Sequence, residues 1–188
     1  MKLRPIHLPP VQSFALGNGL GVKLVRHPRV PMATMRLLIR AGSDADPKGR
    51  EGLADLTAQL LRRGTRKRSA RALDEAVERI GGSLAIGCGA DWLAMRISAP
   101  GVYLEPLLGL LAELIRSPKW DAAEFRSTRA RALAELASDR DDPELVADRA
   151  IARQVWGAHP YGRAGSGTLA SVGRLKRSDV SGYHEEHL

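Results

Sequence analysis

The stretch Gly49-Arg50-Glu51-Gly52-Leu53-Ala54-Asp55-Leu56-Thr57-Ala58-Gln59-Leu60-Leu61-Arg62-Arg63-Gly64-Thr65 constrains the chain more than any other. Leu53, Leu56, Leu60 and Leu61 fall at i, i+3, i+7 and i+8, which is one apolar stripe of an amphipathic helix. The spacing predicts a helix over residues 51–63, entered through glycines and left through Gly64-Thr65. A helix so apolar on one face must be buried by the elements that follow it.

Those elements are legible in order. Residues 12–16 and 21–27 are β-prone runs on either side of Gly17-Asn18-Gly19-Leu20, the signature of a hairpin, with His27 ending its second strand at the surface. Ser69 is placed to cap a second helix over residues 70–80, with Leu73, Val77 and Ile80 on one face and Gly81-Gly82 as its stop. Residues 83–87 and 92–98 read as two strands around a Gly-Cys-Gly-Ala-Asp turn. Residues 102–116 are apolar on more than one face and predict a deeply packed helix. A long helix begins at Asp121, is interrupted at Asp141-Asp142-Pro143-Glu144, and resumes as far as Trp156. The last segment predicts a helix opening on Ser178 and carrying His184 and His187.

The frame around the first helix, Gly-Leu-Ala followed by an apolar helix and Gly64-Thr65, resembles the metal-binding helix of the pitrilysin/insulinase (M16) family of zinc peptidases. Further segments carry the same resemblance from about residue 11 to the end: the Asn-Gly-Leu hairpin turn, Leu133-Ala134-Glu135-Leu136, and His159-Pro160-Tyr161-Gly162 with Gly167-Thr168 behind it. The resemblance implies an α+β, M16 peptidase-like domain related to mitochondrial processing peptidase and LuxS, with a mostly antiparallel sheet packed against helices. It implies that residues 1–188 are a single N-terminal domain of that type, and that a second, homologous half is absent from this chain.

The family's inverted zinc motif, His-x-x-Glu-His, falls on Asp55, Ala58 and Gln59. A zinc hydrolase needs two imidazoles on one helix face, a further ligand, and a carboxylate to take a proton from the metal-bound water. Here that face offers a short carboxylate, a methyl group and a neutral amide. No catalytic residue and no bound cofactor are therefore expected, although active relatives use zinc. Glu135 lies 76 positions past Gln59 and matches the family's remaining ligand. It reads either as a solvent-facing helical glutamate or as a relic facing Asp55 and Gln59.

In the family the strand matching Leu84, Ala85, Ile86 and Gly87 is the sheet edge onto which a substrate peptide adds, a mode that relies on main-chain hydrogen bonds and needs no catalytic group. A plain hairpin strand is the other reading. His159 and Tyr161 match a loop beside the family's cleft and complete the candidate substrate-binding residues. His184 and His187, at i and i+3, stand outside the family's zinc frame and read as surface residues.

The net charge of +8 permits attraction to a polyanion. Its densest run, Arg62, Arg63, Arg66, Lys67, Arg68 and Arg71, lacks interleaved aromatics, which makes a nucleic-acid partner the weaker reading. The single Cys88 excludes an internal disulfide. No stretch approaches the ~18 apolar residues of a membrane span. Lys2 and Arg4 are followed by Pro5, His7, Pro9 and Pro10 where a signal peptide would place its apolar core, so none is evident, and cytoplasm and periplasm both stay open.

The leading expectation is a non-catalytic subunit or fragment that pairs with an active M16 zinc peptidase subunit, or with a second M16-type domain, to form a chamber around an extended peptide. A stand-alone peptide-binding module and a basic polyanion-binding protein are the alternatives.

Overall fold

The computed structural model describes residues 9–27 and 29–188. The signal-peptide reading of residues 1–8 lies outside them. The chain divides into two compact units that meet at Met32 and Ala33.

The first unit is a hairpin. Strands β1 (Val11–Ala15) and β2 (Gly21–Val25) pair antiparallel, with Val11 opposite Val25 and Ala15 opposite Gly21. Gly19 supplies the positive φ of the turn, at 84°, and the Asn18 side chain accepts from the Leu20 amide at 3.1 Å. His27 follows β2 and is exposed.

The second unit is α+β. Its three-stranded sheet runs in the order β3 (Met32–Ile39), β5 (Leu93–Pro100), β4 (Ser83–Cys88), with β4 and β5 antiparallel. The helices are α1 (Leu53–Leu61), α2 (Ala70–Arg79), α3 (Leu104–Arg116), α4 (Ala122–Ser138), α5 (Pro143–Trp156), α6 (Leu169–Arg174) and α7 (Arg177–His187).

Helix α1 is shared by two cores. Ala58 and Leu61 join Leu73, Leu84, Met95, Ile97, Leu107 and Leu114 on the sheet side. Leu53, Leu56 and Leu60 join Phe125, Ala132, Leu136, Val172, Val180 and Tyr183 on the other. Each fully buried leucine contributes roughly 1.5–3 kcal/mol, which fixes the helix firmly and leaves a narrow polar stripe, Asp55 and Gln59, half-buried between the cores.

Side-chain caps set the starts of α2, α4 and α5. Ser69 Oγ accepts from the Ala72 amide at 3.2 Å, Asp121 accepts from the Ala123 amide at 2.8 Å, and Asp142 accepts from the Glu144 amide at 2.9 Å ahead of Pro143.

Two expectations need correction. Helix α3 buries Leu107, Leu110 and Leu114, while Leu104 and Leu108 are exposed, because only one of its faces meets the sheet. The residue before α7 is Lys176, whose amide donates to Asp179 at 2.8 Å, so Ser178 lies inside the first turn. Residues 169–174 form α6, a helix too short for its apolar period to show.

Candidate functional site

The site is built on α1, and α1 is held at its entry. Gly52 precedes the helix at φ 92°, where a Cβ would stand 2.6 Å from the Ser166 carbonyl oxygen. Glycine has no side chain to cap the first turn, and Asp46 supplies the missing acceptor from the preceding loop. Its two oxygens accept from the Gly52 amide at 2.7 Å and the Ala54 amide at 2.8 Å. Asp46 is only 3% exposed. Burial pushes its carboxyl up to about 6, against the pull of those amides. Ser171 donates to the Glu51 carbonyl at 2.8 Å and Arg163 to the Asp46 carbonyl at 2.9 Å, tying the C-terminal segment to the same loop.

On the polar stripe the three motif positions diverge. Ala58 is buried in the sheet-side core, 1% exposed. Asp55 and Gln59, one turn apart, are bonded to each other: Gln59 Nε2 donates to Asp55 Oδ2 at 2.9 Å. The amide oxygen of Gln59 accepts from Arg131 on α4 at 3.1 Å, and the Nε of Arg131 lies 3.7 Å from Glu135 Oε1. The structure thus brings Asp55, Gln59 and Glu135 into one chain, with Arg131 as its middle link. Burial, followed by the Glu135 charge, raises the Asp55 carboxyl, and the Gln59 bond opposes this.

Sequence reasoning missed Arg131. Its signal was the i, i+4 spacing to Glu135 on a helix face turned toward α1.

This donor set does not fit zinc. It holds no imidazole, one neutral amide, and two carboxylates that share their surroundings with a guanidinium, whose charge opposes a second cation. Among the described residues no three His, Cys, Asp or Glu side chains are grouped to hold a metal. His184 and His187 do not share one either: His184 Nε2 lies 2.7 Å from the Ile115 carbonyl oxygen and the His187 ring packs on Tyr183 at 4.5 Å.

Beside the stripe, Asp55, Cys88, Gly89, Tyr161 and Arg163 line a cleft of about 260 Å³. Tyr161 Oη donates to Asp91, a bond that raises the phenol's pKa. The His159 ring accepts from the Tyr161 amide at 3.2 Å and stacks edgewise on the Tyr161 ring at 4.7 Å. His159 therefore shapes its turn, and Tyr161 is the residue of the pair that reaches the cleft. Burial and the charges of Asp55 and Asp46 push the Cys88 thiol up to about 12, which leaves it protonated and weakly nucleophilic.

Strand β4 forms one side of the sheet, and among the described residues no strand pairs with its outer edge. The Gly89 amide donates to the Trp92 carbonyl at 2.8 Å. The alternation of an antiparallel ladder then turns the backbone groups of Ala85 and Gly87 toward β5, and those of Leu84, Ile86 and Cys88 outward. The side chain of Leu84 is buried, that of Ile86 half-buried, and Ala85 and Gly87 are exposed.

Half of the basic run is committed to neighbouring carboxylates. Arg62 pairs with Asp74, Arg68 with Glu113 and Arg71 with Glu75.

With α1, the edge strand and the His159–Gly162 turn in place, the relationship to known proteins is specific. The family model described as insulinase (peptidase family M16) matches residues 22–169. The chain belongs to this family. It is 25% identical over 151 residues to the non-peptidase homologue YmxG of Helicobacter pylori, covering 80% of this chain and 35% of that protein. It is 27% identical over 181 residues to the probable mitochondrial-processing peptidase subunit beta of Schizosaccharomyces pombe, covering 96% of this chain and 39% of that one.

Among solved structures, the peptidase M16 inactive domain from Pseudomonas fluorescens superposes with a TM-score of 0.89 at 25% identity, covering 93% of this chain and 43% of that one. Pitrilysin shares the fold, with a TM-score of 0.80 over 95% of this chain and 20% of its own. The chain spans less than half the length of these relatives. No described helix is long and apolar enough to cross a membrane.

Proposed function

We propose that this M16-family domain is non-catalytic. In this reading it pairs with an active M16 zinc peptidase subunit, or with a second M16-type half, and contributes one wall of a peptide-binding chamber. The observation that carries the reading is the chain Asp55–Gln59–Arg131–Glu135, hydrogen-bonded as far as Arg131 and closed by an ion pair to Glu135, at the positions that the resemblance matches to the zinc motif, with a methyl group at position 58 where active relatives keep the base that activates water. Similarity to a protein named a non-peptidase homologue and to an M16 inactive domain supports it. Similarity to a protein named as a subunit supports the pairing.

The outward amides and carbonyls of Leu84, Ile86 and Cys88 suit an extended peptide that adds as a strand. The peptide's far side would then face the cleft at Asp55 and Tyr161.

Co-expression with an intact His-x-x-Glu-His homologue from the same source, followed by size-exclusion with light scattering, tests the pairing. A stable complex that buries at least ~1,000 Å² and changes the homologue's peptidase rate is the expected result. Separate elution at micromolar concentration, with the rate unchanged, would contradict it. If the isolated chain then bound extended peptides, a stand-alone module would be the better account; steeply salt-dependent binding of polyanions would favour the third reading.

A further inference from the structure

Four arginines from neighbouring segments converge on a second concavity, which shares Arg163 with the cleft beside the polar stripe. Arg140 lies just after α4, Arg149 and Arg153 on α5, and Arg163 just after the Pro160–Gly162 turn. They surround a cavity of about 150 Å³ with Leu136 on its wall, and no acidic side chain lines it.

Two of the four have protein partners. Arg149 pairs with Asp139, and Arg163 donates to the Asp46 carbonyl. Arg140 and Arg153 form no salt bridge among the described residues. Arg149 and Arg153 are also one helical turn apart, a like-charge spacing that destabilises a helix unless an anion relieves it. Arg149 is paired with Asp139 and Arg163 feels the Glu51 charge from outside the cavity, while the exposed Arg140 and Arg153 leave a positive excess around it.

From this arrangement we infer that the pocket is a binding site for a phosphoryl group, carried by free phosphate or by a small phosphomonoester. A carboxylate offers two oxygens and one charge, which a single guanidinium fork satisfies. A phosphoryl dianion offers three terminal oxygens and up to two charges, which matches donors arriving from several directions and the excess charge they leave. The site is independent of the chamber reading, since none of its arginines needs a peptide or a partner chain in order to act.

Isothermal titration of the chain with inorganic phosphate, phenyl phosphate and succinate is the test. The expected result is one saturable site for phosphate or its ester with Kd below about 1 mM, and none for succinate. The tighter of the two phosphate ligands identifies the source. R140Q/R153Q removes the two unpaired guanidiniums and weakens binding at least ~10-fold. R71Q/R126Q, which lowers the net charge equally at exposed positions elsewhere, leaves binding unchanged. The absence of saturation, an equal loss in both double variants, or binding of succinate in place of phosphate would overturn the assignment.

Discussion

Arg131 donates to the side-chain oxygen of Gln59 at 3.1 Å across the gap between α4 and α1. The bond fixes the amide so that its nitrogen faces Asp55, and the guanidinium's other edge reaches toward Glu135. A protein cation thus stands beside Asp55, Gln59 and Glu135, the positions that the family resemblance matches to metal ligands.

Removing either partner should cost little. R131A and Q59A are each expected to lower stability by about 0.5–1.5 kcal/mol, because Arg131 and Glu135 are largely exposed and their pair is screened. Chemical denaturation of the single and double variants measures the coupling, expected near 0.5 kcal/mol. Additive losses would mean that the contact carries no energy.

The guanidinium should also oppose any attempt to rebuild the metal site. D55H/Q59H restores two imidazoles on one helix face, and adding R131A to it should tighten zinc binding by at least ~10-fold, since the competing charge leaves and Glu135 is released. Competition titration against a metal-sensitive dye reads this, and unchanged affinity would remove Arg131 from the account. Adding A58E should destabilise the fold by several kcal/mol, roughly the cost of placing a carboxylate in an apolar core, because Ala58 is buried on the sheet side.

Asp46 gives stability a distinctive pH dependence. Its carboxyl is raised from 3.8 to about 6 in the folded chain, so its contribution is fully present below pH ~4 and is lost as pH rises through ~6. The loss is on the order of 3 kcal/mol. Asp55, also raised, slopes the same way. Denaturant unfolding from pH 3.5 to 7 should show the fall, and D46N should remove most of it. An unchanged slope in D46N would assign the dependence elsewhere.

Backbone geometry at the entry to α1 tolerates only glycine. G52A places a Cβ against Ser166 at a positive φ and should cost about 2–4 kcal/mol. G109A, in α3 with open space around it, should gain up to ~1 kcal/mol. Thermal unfolding of the two variants separates the effects, and a neutral G52A would show that the loop yields.

The apolar period of residues 53–61, the Ser69 cap and the glycine stops made most elements legible, since each follows from spacing or from one residue's chemistry. The Asn18-Gly19 turn was legible for the same reason. What was not legible depends on which faces meet. Leu104 and Leu108 of α3 look as buried in sequence as Leu107, and only the position of the sheet separates them. Asp46 as the cap of α1 acts across a loop at a separation no local pattern encodes. The site divided in the same way: the loss of imidazole and general base could be read from Asp55, Ala58 and Gln59 alone. The link from Arg131 to Gln59 required α4 to be laid beside α1.

Metal content tests the expected lack of a zinc site most directly. The chain is to be purified, saturated with zinc, dialysed to equilibrium against metal-free buffer, and its zinc-to-protein ratio measured by elemental analysis. A ratio near zero is expected, because an amide, two carboxylates and a guanidinium make no zinc site. About one zinc per chain, retained through dialysis and lost from D55A or E135A, would contradict the account and make Asp55 and Glu135 ligands.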